Sequence, residues 1–278
     1  MRSALLFFFF NILFTQFAFS QDDVLGTDIE QEEVKYNYNK IMLIPYNPAK
    51  AFLVQDGTDR QIAQHSEKDL QEIRRRFQFG LNQEVYWKLM SRYDSQNLLL
   101  DNSEDGKKDL ESFMRIVNYQ YETPYSVNEE EQEEKKKSFW ENVKSKLKKP
   151  EVDETEDPYT TSKYKKPKKN EKYMNVQVKN NEIFEYMSDK YGTDLFFFIN
   201  MFELKTDYKT CLDLSTKQYA REVTVHFSIF DKTGTQIYGD KIAVTYNSSS
   251  NDITKIIQAN FPKVADYIAW NLPERKKL

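Results

Sequence analysis

Apolar residues along this chain repeat with two periods, and the periods separate helices from strands. Leu70, Ile73, Phe77, Leu81, Val85 and Leu89 recur at spacings of three and four, the mark of one apolar stripe on an α-helix. Arg74, Arg75, Asn82 and Lys88 fall mostly on its other faces. Ser66 is placed to cap its start, with Asp69 three residues on as a weaker capping-box partner. Gly80 costs about 1 kcal/mol relative to Ala inside a helix, unless close packing uses the missing side chain. Leu110, Phe113, Met114 and Val117 predict a second helix, preceded by a short packed segment at residues 98–100. Glu182–Tyr191 predicts a third, with Ile183, Phe184 and Met187 inward and Gly192 ending it. Asn251 or Asp252 caps a last helix carrying Ile253, Ile256, Ile257, Val264, Tyr267 and Ile268, which Pro262 is expected to kink or divide.

The strand signals are of two kinds. Lys40–Ile44 holds four consecutive apolar residues before Pro45, as in a strand buried on both faces. Residues 195–199, extended through Phe202 and Leu204, read the same way. By contrast, Val223, Val225, Phe227 and Ile229 alternate, and Ile237, Ile242, Val244 and Tyr246 mark a returning partner after the turn at residues 231–234. Gly239 and Asp240 are expected to form a bulge in that return. A short strand at residues 51–54 lies between two turn segments. The order strand, helix, insertion, helix, strand, hairpin, helix predicts an α/β fold, a mixed sheet covered by helices, with a charged and partly disordered insertion.

Polar composition then sets the boundaries. Residues 1–20 combine a basic start at Arg2, a dense apolar run, and small residues at Ala18 and Ser20, the pattern of a signal peptide cleaved after Ser20. Residues 21–37 are an acidic, flexible lead-in. Residues 38–127 and 173–272 form the two parts of the α/β domain. Between them, residues 128–172 alternate acidic and basic blocks and hold too few apolar residues for a core. Phe139, Trp140, Val143 and Leu147 are the exception, an amphipathic stripe suited to a partner or to docking back on the domain.

The whole chain carries 40 basic and 44 acidic residues; without Arg2 the balance is 39 against 44, or −5, with no global attraction to nucleic acid or anionic lipid. The single cysteine, Cys211, makes no internal disulfide, and its expected place is that of a half-buried small hydrophobe. His65 and His226 are far apart in sequence. His65 is expected to face solvent or cap a helix, and His226 to sit opposite the apolar side of its strand. Glu203, Asp207 and Asp213 cluster around Cys211 but lack the spacing of a cation loop. Zinc, esterase and P-loop motifs do not occur. No catalytic, cofactor or metal residue is therefore assigned. The candidate contact residues are Phe139, Trp140, Tyr238 and Tyr246.

Residues 40–45 (Lys-Ile-Met-Leu-Ile-Pro), residues 191–198 (Tyr-Gly-Thr-Asp-Leu-Phe-Phe-Phe) and the hairpin of residues 223–246 before the terminal helix together resemble the exported α/β domains of TolB-type amino-terminal regions and CsgG-like curli-secretion proteins. The resemblance implies a non-enzymatic domain that assembles or bridges envelope machinery, in the periplasm or outer envelope. Its partners would be envelope proteins, with no specific nucleic acid, no cofactor and no transmembrane segment in the mature chain. Two alternatives are an exported hydrolase or carbohydrate-active enzyme whose acids, or an acid and His226, meet from separate segments, and a small-ligand-binding module with an apolar pocket.

Overall fold

In the computed structural model, residues 38–126, 164–165, 167–168 and 170–273 are described. Strand β1 (Lys40–Ile44) is apolar on both sides because it lies inside a sheet covered on both faces. Ile41 and Leu43 point to one core, Met42 and Ile44 to another. The strand runs parallel to β7 (Leu195–Asp213) on one side and to β3 (Asp94–Asn97) on the other. The two Ile- and Phe-rich segments thus share one mixed sheet.

Beyond β1 the chain turns and resumes as β2 (Phe52–Val54), which also runs parallel to β7, against Phe202–Leu204 of it. From β7 the sheet continues antiparallel through β8 (Gln218–Asp231), β9 (Gln236–Asn247) and the two-residue β5 (Tyr164–Lys165). Three helices cover one face: α1 (Thr58–His65), α2 (Leu70–Met90) and α5 (Ile253–Trp270). The other face carries α3 (Glu104–Ile116), α4 (Glu182–Tyr191) and a small antiparallel pair, β4 (Val117–Glu122) with β6 (Tyr173–Val178).

The larger core lies under α1, α2 and α5. There Phe77, Phe202 and Phe261 pack at centroid distances of 5.2–5.9 Å. Of the predicted α2 stripe, Ile73, Phe77, Leu81, Val85 and Leu89 are fully buried against it, while Leu70, in the first turn, is exposed. Gly80 is where α2 meets α5: a Cβ built on it would lie 2.8 Å from Cγ2 of Ile257. The smaller core, under α3 and α4, is a ring cluster of Phe113, Phe184, Phe196, Phe198 and Phe230.

Several expectations are corrected. Ser66 does not start α2; it ends α1, a helix with no apolar stripe to announce it because Ile62 and Ala63 are its only apolar residues. The cap of α2 is Asp69, whose carboxylate accepts from the amide of Glu72 at 2.7 Å. Strand β3, Asp-Ser-Gln-Asn, has no β-forming side chain and exists because β1 offers it a ladder. Tyr164 and Lys165 fall within the stretch assigned to the insertion, yet pair with Val244 and Ala243. Gly239 and Asp240 pair regularly with Ser228 and Phe227; the irregularity lies one step earlier, between Ile229 and Phe230, where Ile237 is the extra residue. Helix α5 runs through Pro262 undivided. The carbonyl that loses its partner belongs to Gln258, on the exposed side, while Ile256, Phe261, Val264 and Ile268 hold both halves to the sheet.

Gly80→Ala should lower stability by about 1 kcal/mol in urea unfolding, because the clash with Ile257 outweighs the gain in helix propensity. Combined with Ile257→Ala it should be at least about 0.5 kcal/mol better than the sum of the single changes. Additive effects would mean that the helices do not touch there.

Candidate functional site

The second face of the sheet changes from apolar to polar along its length, and one residue causes the change. Ile199 pairs with Phe227 and Met201 with His226, so Asn200 is an extra residue in β7. Before it, odd-numbered β7 residues face the helices α1, α2 and α5; after it, Phe202 and Leu204 do. Glu203 and Lys205 are thereby turned to the opposite face, beside Glu222, Thr224, His226 and Ser228 of β8. Asn200 is itself fully buried. Its amide nitrogen donates to the Met174 carbonyl at 2.8 Å and to the Ser228 hydroxyl at 2.7 Å.

Over these residues lies the β4–β6 pair. Ser228 donates to Oδ1 of Asn175 at 2.5 Å, and Nδ2 of Asn175 donates to Glu122 and Gln236 at 2.8 and 2.7 Å. Gln236 passes the chain on to the Tyr173 hydroxyl at 2.7 Å. That hydroxyl occupies the space that a side chain at position 239 would need, so Gly239 is required by close approach.

His226 sits in the centre, 1% exposed. Its Nδ1 accepts from the backbone amide of Met174 at 2.8 Å, which places the proton of the neutral ring on Nε2. Nε2 lies 3.3 Å from Oε1 of Glu203, out of line for a true hydrogen bond. Burial pushes the imidazole pKa down, against the opposing pull of Glu203. For Glu203 burial acts upward, but His226, Lys205 and Lys241 together hold it below the usual carboxylate range. Next along the face, Glu222 receives Lys205 at 2.7 Å and Lys165 at 3.0 Å. Burial raises this carboxyl too, and the two lysines outweigh it. Lys241 pairs with Glu171 at 2.9 Å.

This arrangement does bring His226 and a carboxylate together, as the hydrolase alternative required. Its polarity is wrong for proton transfer, however: Nδ1 is taken by a backbone amide and Nε2 carries the proton. Glu222 is held by two cations. Among the described residues, no group of three or more His, Cys, Asp or Glu side chains is arranged to hold a metal ion. The polar layer acts as a lock that fixes the small sheet on the large one, through the bonds of Asn200, Ser228, Asn175, Gln236 and His226 Nδ1.

The contact residues chosen from sequence lie elsewhere. Tyr238 and Tyr246 are 2% and 1% exposed and face the helices in the larger core, so neither presents a contact edge. The even-numbered residues of β9 turn inward there, and the tyrosines follow that parity. Phe139 and Trp140 are outside the described residues. Cys211, expected to be half-buried, is exposed, because residues 208–210 bulge out of the β7–β8 pairing. Asp207 and Asp213 make local turn bonds to Thr210 and Ser215 there, and Glu203 is away with His226. His65 is exposed at the end of α1.

Two features escaped the sequence reading. Asp240, fully buried, accepts from Tyr238 at 3.0 Å, Tyr267 at 3.2 Å and the Lys241 amide at 2.7 Å; burial pushes its pKa up to about 6. On α2, Phe79, Trp87 and Met90 are 49, 52 and 54% exposed. At about 100° per residue they fall within one 80° arc, flanked by Arg75, Arg76 and Tyr86. A second stripe at spacings of eight and three was visible in the sequence, but the stronger buried stripe masked it. Tyr86 and Leu100 also line a cavity of about 270 Å³ with Lys40, Ser95 and Asp101 at the edge strand β3.

Compared with known proteins, the chain matches no family model, no curated protein and no solved structure. Among the described residues, no helix is long and apolar enough to cross a membrane.

His226→Leu should cost about 1–3 kcal/mol, since it leaves the Met174 amide buried without an acceptor; an unchanged urea midpoint would count against the lock. Asp240 has an opposite pH signature. Its folded pKa lies above the unfolded value, so the stability it contributes is present below about pH 4 and is lost as pH rises towards 6. Asp240→Asn should therefore be more stable than the parent near pH 7.5, by up to about 3 kcal/mol, with the difference closing near pH 4. A difference that is the same at both pH values would refute this. Neutral, buried His226 acts in the other direction, losing stability as pH falls below about 6.5, so the variant should also expose that loss more clearly.

Proposed function

We propose that this protein is a non-enzymatic component of the cell envelope that works by presenting a rigid contact surface to another protein. The carrying observation is the row of half-exposed Phe79, Trp87 and Met90 on the solvent side of α2. Aromatic, Met and Arg side chains on an ordered helix are the residue types that dominate protein interfaces. The buried face of the same helix is anchored by Phe77, Leu81, Val85 and Leu89, so the exposed row is held in place before binding and little ordering entropy opposes docking. The cavity at Tyr86 and Leu100 borders the row and extends the surface towards β3.

A second element supports the same reading. The knob at the end of the β7–β8 hairpin exposes Tyr208, Leu212 and Leu214, on turns held by Asp207 and Asp213. Export is inferred from the pattern of residues 1–20 and from the resemblance to exported envelope domains, and both support a partner among envelope proteins. The polar layer around His226 serves this function by rigidity and carries no reaction step.

A photo-crosslinking amino acid at position 87 of the full-length protein, expressed in its own envelope, tests the proposal. A discrete crosslinked partner should appear, and should be lost when Phe79→Asp and Met90→Asp are added. The same probe at the exposed position 108 of α3 should give none. Equal labelling from positions 87 and 108, or a partner insensitive to both aspartates, would overturn the assignment of this surface.

A further inference from the structure

The far end of the helix-covered face holds a buried cation with no acid beside it. Arg221 of β8 is 1% exposed. Its guanidinium donates to the Ser250 carbonyl at 3.2 Å, to Oδ1 of Asn251 at 2.8 Å and to Oε1 of Gln61 at 2.8 Å. All three acceptors are neutral. Among the described residues no carboxylate lies within 4 Å of it. Asp56, whose charge reaches neighbouring Tyr246, is committed to Thr58 and to the amide of Thr206. Asp252 is committed to the amides at the start of α5. A desolvated guanidinium with only neutral partners carries a penalty that an ordinary protein interior avoids.

Three polar atoms around this cation are buried and make no bond of good geometry: Nε of Arg221, the hydroxyl of Tyr246, which feels the guanidinium beside it, and the hydroxyl of Ser250. They belong to one place. Tyr246 is the cross-strand neighbour of Arg221 and its ring lies 5.9 Å from the guanidinium carbon; Ser250 is bound to the guanidinium through its own carbonyl. Each of the three can donate a hydrogen, and all three lie around one buried cation. A water molecule would satisfy geometry but not charge. We infer that Arg221, Tyr246 and Ser250 form a binding site for a small inorganic anion of halide size. The three groups would donate to it and the guanidinium would supply the positive charge. Entry requires only the rim to move: Gln61 is exposed and Asn251 is partly so, and both are side chains laid over the guanidinium. The bound ion would tie α1 and the β9–α5 connection to the end of the sheet.

Thermal unfolding of the whole protein in sodium chloride and in sodium gluconate, at one ionic strength, reads this site. At ten times the half-saturating chloride concentration, Tm should lie roughly 3–5 °C above the gluconate value. The double variant Tyr246→Phe with Ser250→Ala keeps the cation and removes two donors; it should unfold cooperatively with the chloride dependence lost. Crystals grown in bromide should show an anomalous peak next to Nε of Arg221, a readout that does not depend on the variant folding. Equal Tm values in the two salts, or a water in place of the bromide peak, would overturn the proposal.

Discussion

The pairing of β7 with β8 carries the rest of the structure. It is the longest ladder in the fold, and it fixes which side chains look towards the helices and which look away. Val223, Val225, Phe227 and Ile229 keep strict alternation, so every even position of β8 must be accommodated on the opposite face. Sheets usually meet this constraint with solvent or with a second apolar layer. Here the chain uses both an apolar cluster and a hydrogen-bonded one. The aromatic ring cluster serves the first half of β7, and the network from Asn200 to Tyr173 serves the second. The Asn200 bulge joins the two regimes by reversing the parity of β7 at the point where the covering layer changes from α3 and α4 to β4 and β6.

The polar layer explains why the small sheet needs no large apolar face of its own. Its strands contribute only Val117, Tyr173 and Val176 as fully inward apolar groups. Tyr119, Met174 and Val178 pack more loosely, and hydrogen bonds from Asn200, Ser228 and Gln236, with the one His226 accepts from the Met174 amide, add to the attachment. Such bonds add little net stability each, but an unpaired buried partner is costly, so they select one register over its neighbours. A rigid, register-locked body suits a protein that presents a helix face to a partner, since the exposed row on α2 can be no better placed than the core beneath it.

The contact surface and the buried cation lie on different parts of the helix layer. Arg221 is held between α1 and the loop entering α5, while Phe79, Trp87 and Met90 lie on the outer side of α2. Gly80 links the two regions mechanically, because the close approach of α2 to α5 sets the position of both helices on the sheet.

Much of this was legible along the chain. The buried stripe of α2, the doubly apolar strand β1, the alternation in β8, the turn at residues 231–234 and a cap at Asn251 or Asp252 follow from local periodicity and side-chain chemistry, which act over a few residues. The parity change of β7 was not legible, because residues 195–199 are apolar at both parities and only the pairing with β8 reveals the extra residue. What the sequence could not reveal is what each face meets. Strand β3 has no propensity for its conformation and is imposed by β1; Tyr238 and Tyr246 were placed by β9 parity against the helices of the larger core; and His226 became a buried acceptor only because the amide of Met174 is brought over it. Local patterns determine the elements and their apolar sides, since neighbours along the chain suffice for that. Which polar groups are buried, and against which partners, depends on contacts between distant segments, and only the tertiary structure decides it.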